Sequence, residues 1–326
     1  MKIAILDDYQ DRVRHLDCFK LLADHDVRIF NHSARGIGQL AIRLASFDAL
    51  VLICERTNLP AALLNKLPRL KFIAQTGKVS GHIDLVAAAA NGITIVEGTS
   101  DPTAPAELTW ALIMASMRRI PDYTSNLREG LWQTVSTVPE KNLLGRVLKD
   151  QTLGIWGYGK IGRLVAGFGK AFGMTVLVWG SSASRALALE AGFEAAMSKE
   201  EFFARADVLS LHLRLSETTR GCVTFADLTA MKNSALLVNT SRAELLATGA
   251  LQQALAAGCI GSVALDVFDT EPLPATSPLL QYSNVLASPH LGYVEERSYE
   301  LHFCKAFQNI VDFFAGMPRN VLTLPV

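Results

Sequence analysis

Short apolar runs alternate with amphipathic stretches over the first hundred residues. Ile3–Leu6, Val27–Phe30, Ala49–Ile53, Lys71–Gln75 and Ile93–Val96 have the length and branched apolar content of buried strands. Helical stretches such as Pro60–Leu67 and Ile83–Ala90 lie between them, and Asn91-Gly92 reads as a helix stop. A long helix is predicted from Pro105 to Arg119, with Pro105 in its first turn and Pro121 marking its end. A second series begins at Thr152, with strands expected at Leu153–Trp156, Thr175–Trp179, Val208–Leu213, Ala235–Asn239, Ser262–Leu265 and Val285–Ala287. A last amphipathic helix is expected from Glu295 to Phe314. Alternation at this spacing predicts an α/β fold of two doubly wound, parallel-sheet domains. The stretch Asp122–Lys149 is less regular and reads as an arm or an oligomer contact.

Composition narrows the function classes. The chain has 326 residues, too many for one typical core, and half of them are hydrophobic. Its 31 basic and 31 acidic residues cancel, with no Lys/Arg cluster along the chain, so no nucleic-acid partner is expected. The opening apolar run stops at Asp7-Asp8, too early for a signal peptide, and no stretch reaches the length of a membrane span. No membrane association is expected, and the cytoplasm is the expected location. Cys18, Cys54, Cys222, Cys259 and Cys304 are scattered with no C-x-x-C pair, which argues against a disulfide framework and against a metal site.

Gly157-Tyr-Gly159-Lys160-Ile161-Gly162 is a G-x-G-x-x-G directly after the strand Leu153–Trp156, opening a segment with Ile161, Leu164, Val165 and Phe168 on one helical face. In that setting the pattern signals dinucleotide binding. The first glycine permits a tight turn, the second lets the backbone approach the pyrophosphate, and the third lets helix and strand pack closely. The helix N-terminus offers free N–H groups and partial positive charge. The next strand ends not in the usual carboxylate but in Gly180, followed by Ser181-Ser182-Ala183-Ser184-Arg185. Hydroxyls and a guanidinium suit a 2′-phosphate that a carboxylate would repel. The cofactor is therefore expected to be NADP or NAD, with NADPH used at least as well as NADH.

Polar residues gather at the later strand ends: His212, then Thr240-Ser241-Arg242, then Asp266 and Glu271, then Ser288-Pro289-His290. Trp156–Gly162, Asn239–Arg242, Leu265-Asp-Val-Phe-Asp-Thr-Glu-Pro272 and Ser288–His290, in this order and spacing, resemble the D-isomer-specific 2-hydroxyacid dehydrogenase family over nearly the whole chain. The resemblance implies a Rossmann cofactor domain, residues 99–292, inserted into a flavodoxin-like substrate domain, residues 1–98 plus 293–326. It implies hydride transfer between NAD(P)H and a small 2-oxo acid or D-2-hydroxy acid. It further implies that Arg242 binds the substrate's carboxylate or carbonyl oxygen, that His290 exchanges the proton of the carbonyl oxygen, that Glu271 holds the imidazole, and that Asp266 contacts the nicotinamide end. Thr240, Ser241 and His212 would neighbour the cofactor. Arg128-Glu-Gly130-Leu-Trp132 resembles the family's dimer arm, so a homodimer is expected.

Each of these residues also has an ordinary structural reading: Arg242 as a helix-start residue, Glu271 as loop punctuation before Pro272, His290 and His212 as satisfied core histidines. Their joint occurrence points to chemistry. The sequence also departs from the family's pattern. The substrate loop, usually glycine-rich, reads Gln75-Thr76-Gly77-Lys78-Val79-Ser80-Gly81. Its backbone N–H groups at Gly77, Lys78, Val79 and Ser80 would hold the substrate carboxylate, with the Lys78 side chain either meeting a second anionic group or pointing to water. Glyoxylate, hydroxypyruvate, phosphoglycerate and bulkier acids stay open as substrates. So do a phosphite dehydrogenase and a dinucleotide-sensing regulatory protein of the same fold. Formate is disfavoured, because formate relatives replace the histidine's glutamate partner and Glu271 is present.

Overall fold

The computed structural model describes residues 1–34 and 36–322. The chain divides into two compact units, Met1–Asp101 with Val294–Val326, and Pro102–Tyr293.

The first unit holds strands β1 (Lys2–Ile5), β2 (Asp26–Ile29), β3 (Ala49–Leu52), β4 (Phe72–Gln75) and β5 (Thr94–Val96). They form one sheet in the order β2-β1-β3-β4-β5, and every pairing is parallel. Order reverses between β1 and β3, the point where a doubly wound sheet opens a crevice at its carboxyl edge. All of β3 and β4 is buried, because both faces of the sheet are covered; this is why their apolar runs are continuous rather than alternating. The helix Leu85–Ala90 starts where the Asp84 carboxylate accepts from Ala87 N. The C-terminal helix Glu296–Phe314 returns to this unit, where Phe313 stacks on Phe72 at 4.4 Å and Phe307 meets Phe19 edge-on at 6.2 Å. The helix predicted over Pro60–Leu67 is only one turn, Ala61–Leu64.

The second unit holds β6 (Thr152–Trp156), β7 (Thr175–Trp179), β8 (Glu194–Ala195), β9 (Val208–Leu211), β10 (Leu236–Asn239), β11 (Ser262–Leu265) and β12 (Val285–Ala287). The sheet is again parallel, ordered β12-β11-β10-β9-β6-β7-β8, and reverses between β6 and β9. β8 escapes sequence reading because two residues carry no periodicity. One face packs on Phe202, Phe203 and Trp156, whose rings meet edge to face at 5.7–6.1 Å. The helix Thr103–Met117 lies against the helix Lys160–Ala171 and β10.

Pro121 does not close the unit's first helix. The left-handed Arg119 (φ 54°) breaks the chain, and a second helix, Ile120–Arg128, begins with Pro121 in its first turn, where the missing N–H costs nothing. Residues 122–149 are thus partly helical. No helix among the described residues is long and apolar enough to cross a membrane.

Candidate active site

Functional candidates of the second unit sit at the carboxyl edge of its sheet. β6 runs into Gly157, whose φ of +101° and N–H bond to Trp179 O (2.9 Å) make the tight turn. A Cβ on Gly157 would stand 2.5 Å from His212 O, and one on Gly162 would stand 2.1 Å from Gly157 O. These two glycines are required by packing. Gly159 differs: nothing lies within 4 Å of its Cβ position, and it caps the helix Lys160–Ala171, so the backbone at that helix N-terminus has open space beside it. A backbone cradle left open at a helix N-terminus fits a dinucleotide's pyrophosphate.

At the end of β7, Gly180 (φ +149°) leads to Ser181, whose hydroxyl caps the helix Ser182–Glu190 by accepting from Ser184 N at 3.2 Å. Ser182 is exposed. The Arg185 guanidinium lies over the Trp179 ring at 5.0 Å and reaches Ala196 O only at 3.4 Å; its Nε has no hydrogen-bond partner among the described residues.

The ends of β9 to β12 form one connected scaffold. His212 meets Ser210 Oγ through Nε2 at 2.9 Å, and burial pushes its pKa down to about 4, so the ring is neutral. Asn239, almost fully buried, accepts from Ser241 N (3.1 Å) and donates to Arg242 O (2.8 Å), bracing the turn from both sides. Ser241 Oγ donates to Leu211 O at 2.7 Å. Because the Thr109 hydroxyl donates to Pro105 O, the 2.7 Å bond between Thr240 and Thr109 has Thr240 as donor.

Asp266 is fully buried. It accepts from Ser288 Oγ (2.6 Å), Leu291 N (2.7 Å) and Gly292 N (2.9 Å), which ties β11 to the loop carrying His290. Burial raises its pKa against the pull of these donors and the charge of His290. His290 itself is left-handed (φ 53°), a conformation that a non-glycine residue holds only when its surroundings impose it. Its Nδ1 meets Glu271 Oε2 at 2.7 Å, and Glu271 Oε1 accepts from Phe268 N at 2.9 Å. Tyr293 closes edge-on over the imidazole at 5.6 Å. Burial alone would raise the Glu271 carboxyl. The bond and charge of His290, the Phe268 N–H and the charge of Arg242 outweigh burial and hold it below the usual carboxylate range.

The loop after β4 belongs to the first unit. Gly77 and Val79 are buried, while Lys78 and Ser80 are exposed. Lys78 does not simply point to water: Nζ pairs with Glu97 Oε2 at 2.6 Å, and Glu97 Oε1 accepts from Val79 N at 2.8 Å. Sequence reading passed over Glu97, Asn239, Ser288 and Thr109 as candidates. Their partners lie 2 to 131 residues away along the chain, and only the Asn239 and Ser288 positions, inside quoted motifs, carried a signal. No group of three or more metal-ligating side chains is gathered among the described residues.

Comparison with known proteins decides the family. Residues 110–292 match the D-isomer specific 2-hydroxyacid dehydrogenase, NAD binding domain. The chain is 38% identical to a glyoxylate reductase of Aeropyrum pernix over 81% of this chain and 79% of that one. The chain belongs to the D-isomer-specific 2-hydroxyacid dehydrogenase family. This dehydrogenase is an oxidoreductase that moves a hydride between a nicotinamide dinucleotide and a small 2-oxo or 2-hydroxy acid. It also resembles a crystal structure described as a putative D-3-phosphoglycerate dehydrogenase from Ralstonia solanacearum (TM-score 0.95, 54% identity, 98% of this chain and 96% of that one). A D-3-phosphoglycerate dehydrogenase of Methanocaldococcus jannaschii is 33% identical over 88% of this chain, which spans about half (54%) of that relative's length.

The lowered pKa of Glu271 has a sign. Its ionised form is favoured by folding, so the stability it contributes is full above the ordinary carboxylate pKa and is lost as pH falls through the lowered value. In urea unfolding, the stability advantage of wild type over Glu271→Gln should therefore narrow between pH 7 and about pH 3. An advantage independent of pH would contradict this assignment.

Proposed function

We propose that this dehydrogenase works with His290 as general acid and base, Glu271 as its partner and Arg242 as the substrate's cationic anchor. The observation that carries the reading is the 2.7 Å contact between His290 Nδ1 and Glu271. An ionised carboxylate only accepts, so Nδ1 keeps a proton and Nε2 becomes the site that gains and loses one. In reduction, His290 Nε2–H protonates the carbonyl oxygen; in oxidation, Nε2 removes the hydroxyl proton. The Glu271 carboxylate stabilises the imidazolium and fixes its tautomer. The Arg242 fork binds the substrate's carboxylate or carbonyl oxygen, and the N–H groups of Gly77, Lys78 and Ser80 hold the carboxylate, while the Val79 amide is withdrawn from that role by its bond to Glu97.

The cradle at Gly157, Gly159 and Gly162, with the N–H groups of Lys160 and Ile161, would hold the dinucleotide's pyrophosphate. Thr240, Ser241, His212 and Asp266 would line its nicotinamide end. When bound, the dinucleotide supplies or accepts the hydride at the substrate carbon. Asp266 in addition positions His290 through the neighbouring Leu291 and Gly292 amides. The absent carboxylate at Gly180, and the Arg185 guanidinium resting on Trp179 beside it, support preference for NADPH, with Ser181 and Ser182 beside the 2′-phosphate. Leu127, Trp132, Leu143, Leu144 and Val147 are all more than half exposed, which supports a homodimer formed through residues 120–147.

His290→Ala should lower turnover of 2-oxo acids about 10²–10⁴-fold in steady-state assays while fluorescence titration shows near-native dinucleotide affinity; wild-type turnover in the variant would remove His290 from the mechanism. Arg185→Ala should weaken NADPH about ten-fold or more and leave NADH nearly unaffected, and equal losses would refute the 2′-phosphate contact. Leu144→Glu should convert a dimer into the 35.4 kDa monomer by light scattering; a monomeric wild type would contradict the arm's role.

A further inference from the structure

We infer that Glu97 restricts this enzyme to 2-oxo acids carrying a single negative charge. The inference rests on the proposed reading of the Gly77, Lys78 and Ser80 amides as the seat of the substrate's carboxylate.

β4 and β5 pair in parallel, with Ala74 opposite Val96, so the residues that follow them lie side by side at the sheet's carboxyl edge. The approach is close. Gly98 N donates to Gly77 O at 3.0 Å, and a Cβ on Gly98 would stand 2.1 Å from Thr76 O. This contact delivers Glu97 against the loop, where one carboxylate oxygen takes the Lys78 ammonium at 2.6 Å and the other takes the Val79 amide at 2.8 Å. An ammonium and a backbone N–H are the donors that a second carboxylate or phosphate would seek. Glu97 already takes the amide and one of the ammonium's three donors, and neutralises the ammonium's charge.

The pair is asymmetric in a way that matters. The Lys78 side chain is 62% exposed, whereas that of Glu97 is 17% exposed. An exposed ion pair holds weakly, and the lysine could swing to a new anion. The carboxylate cannot leave as readily, because it is sunk beside the loop and fixed by a main-chain donor. A substrate with a second anionic group would thus meet a fixed like charge in a partly desolvated place, and the cation it needs is neutralised. A monoanionic acid needs neither. Glu97 touches no reacting atom; it sets specificity.

The test compares glyoxylate, a monoanion, with oxaloacetate, a dianion, at saturating NADPH. In Glu97→Gln, which keeps an acceptor for Val79 N but drops the charge, the ratio of kcat/KM for oxaloacetate over glyoxylate should rise about ten-fold or more, chiefly through KM. Adding Lys78→Met should abolish the gain, because the gain needs the freed ammonium. An unchanged ratio, or a gain that survives in the double variant, overturns the role of Glu97. Calorimetric binding of oxamate (monoanion) and oxaloacetate (dianion) reads the same ratio without turnover. If neither keto acid is reduced, the proposed function falls, while the binding ratio still decides on Glu97.

Discussion

The carboxylate of Asp266 is buried to 0% exposure and takes three donors, Ser288 Oγ and the amides of Leu291 and Gly292. The arrangement around His290 depends on it. A buried, unpaired carboxylate would be costly, and so would two buried amides without acceptors. Satisfying both at once pins the segment after β12 to the end of β11. Between those anchors His290 is forced into a left-handed backbone that its side chain would not choose. Glu271, itself held by the Phe268 amide, then meets the imidazole from the side. The His–Glu contact is thus a consequence of how β11 and β12 end.

The same logic runs along the sheet edge. Parallel strands deliver all their carboxyl ends to one side, and each loop there must satisfy its own polar groups. Asn239 does so for the Ser241–Arg242 turn, and Ser241 reaches across to Leu211 O. Two of the three motif glycines exist because backbone lies too close for a Cβ, at His212 O and at Gly157 O. Rigid, satisfied loops around an open helix N-terminus make a site that needs little reorganisation to receive an anion.

In the first unit the loop after β4 is shaped by a residue of the neighbouring strand end. Glu97 fills the role that an external anion could have played, and it turns a lysine that looks like a phosphate ligand into half of an internal pair. Charge counted along the chain is therefore a poor guide to charge presented by a site. Arg185 shows the converse: no carboxylate among the described residues pairs with it, and its guanidinium stacks on Trp179 at the strand end where a carboxylate is missing.

The sequence by itself determined the α/β class, eleven of the twelve strands among the described residues to within a residue or two of either bound, the dinucleotide turn and the family, because strand runs, glycine spacing and strand-end motifs are local patterns. It pointed to Arg242, Glu271 and His290 only through their joint order. It could not see the two-residue strand Glu194–Ala195, nor that Pro121 starts a helix, since one is too short to be periodic and the other turns on the backbone of Arg119. Tertiary structure alone decided the strand orders, the brace of Asp266 on the His290 loop and the capture of Lys78 by Glu97. Those contacts join residues on different strands, and which strands become neighbours is settled by how the sheets wind, not by any pattern within a strand.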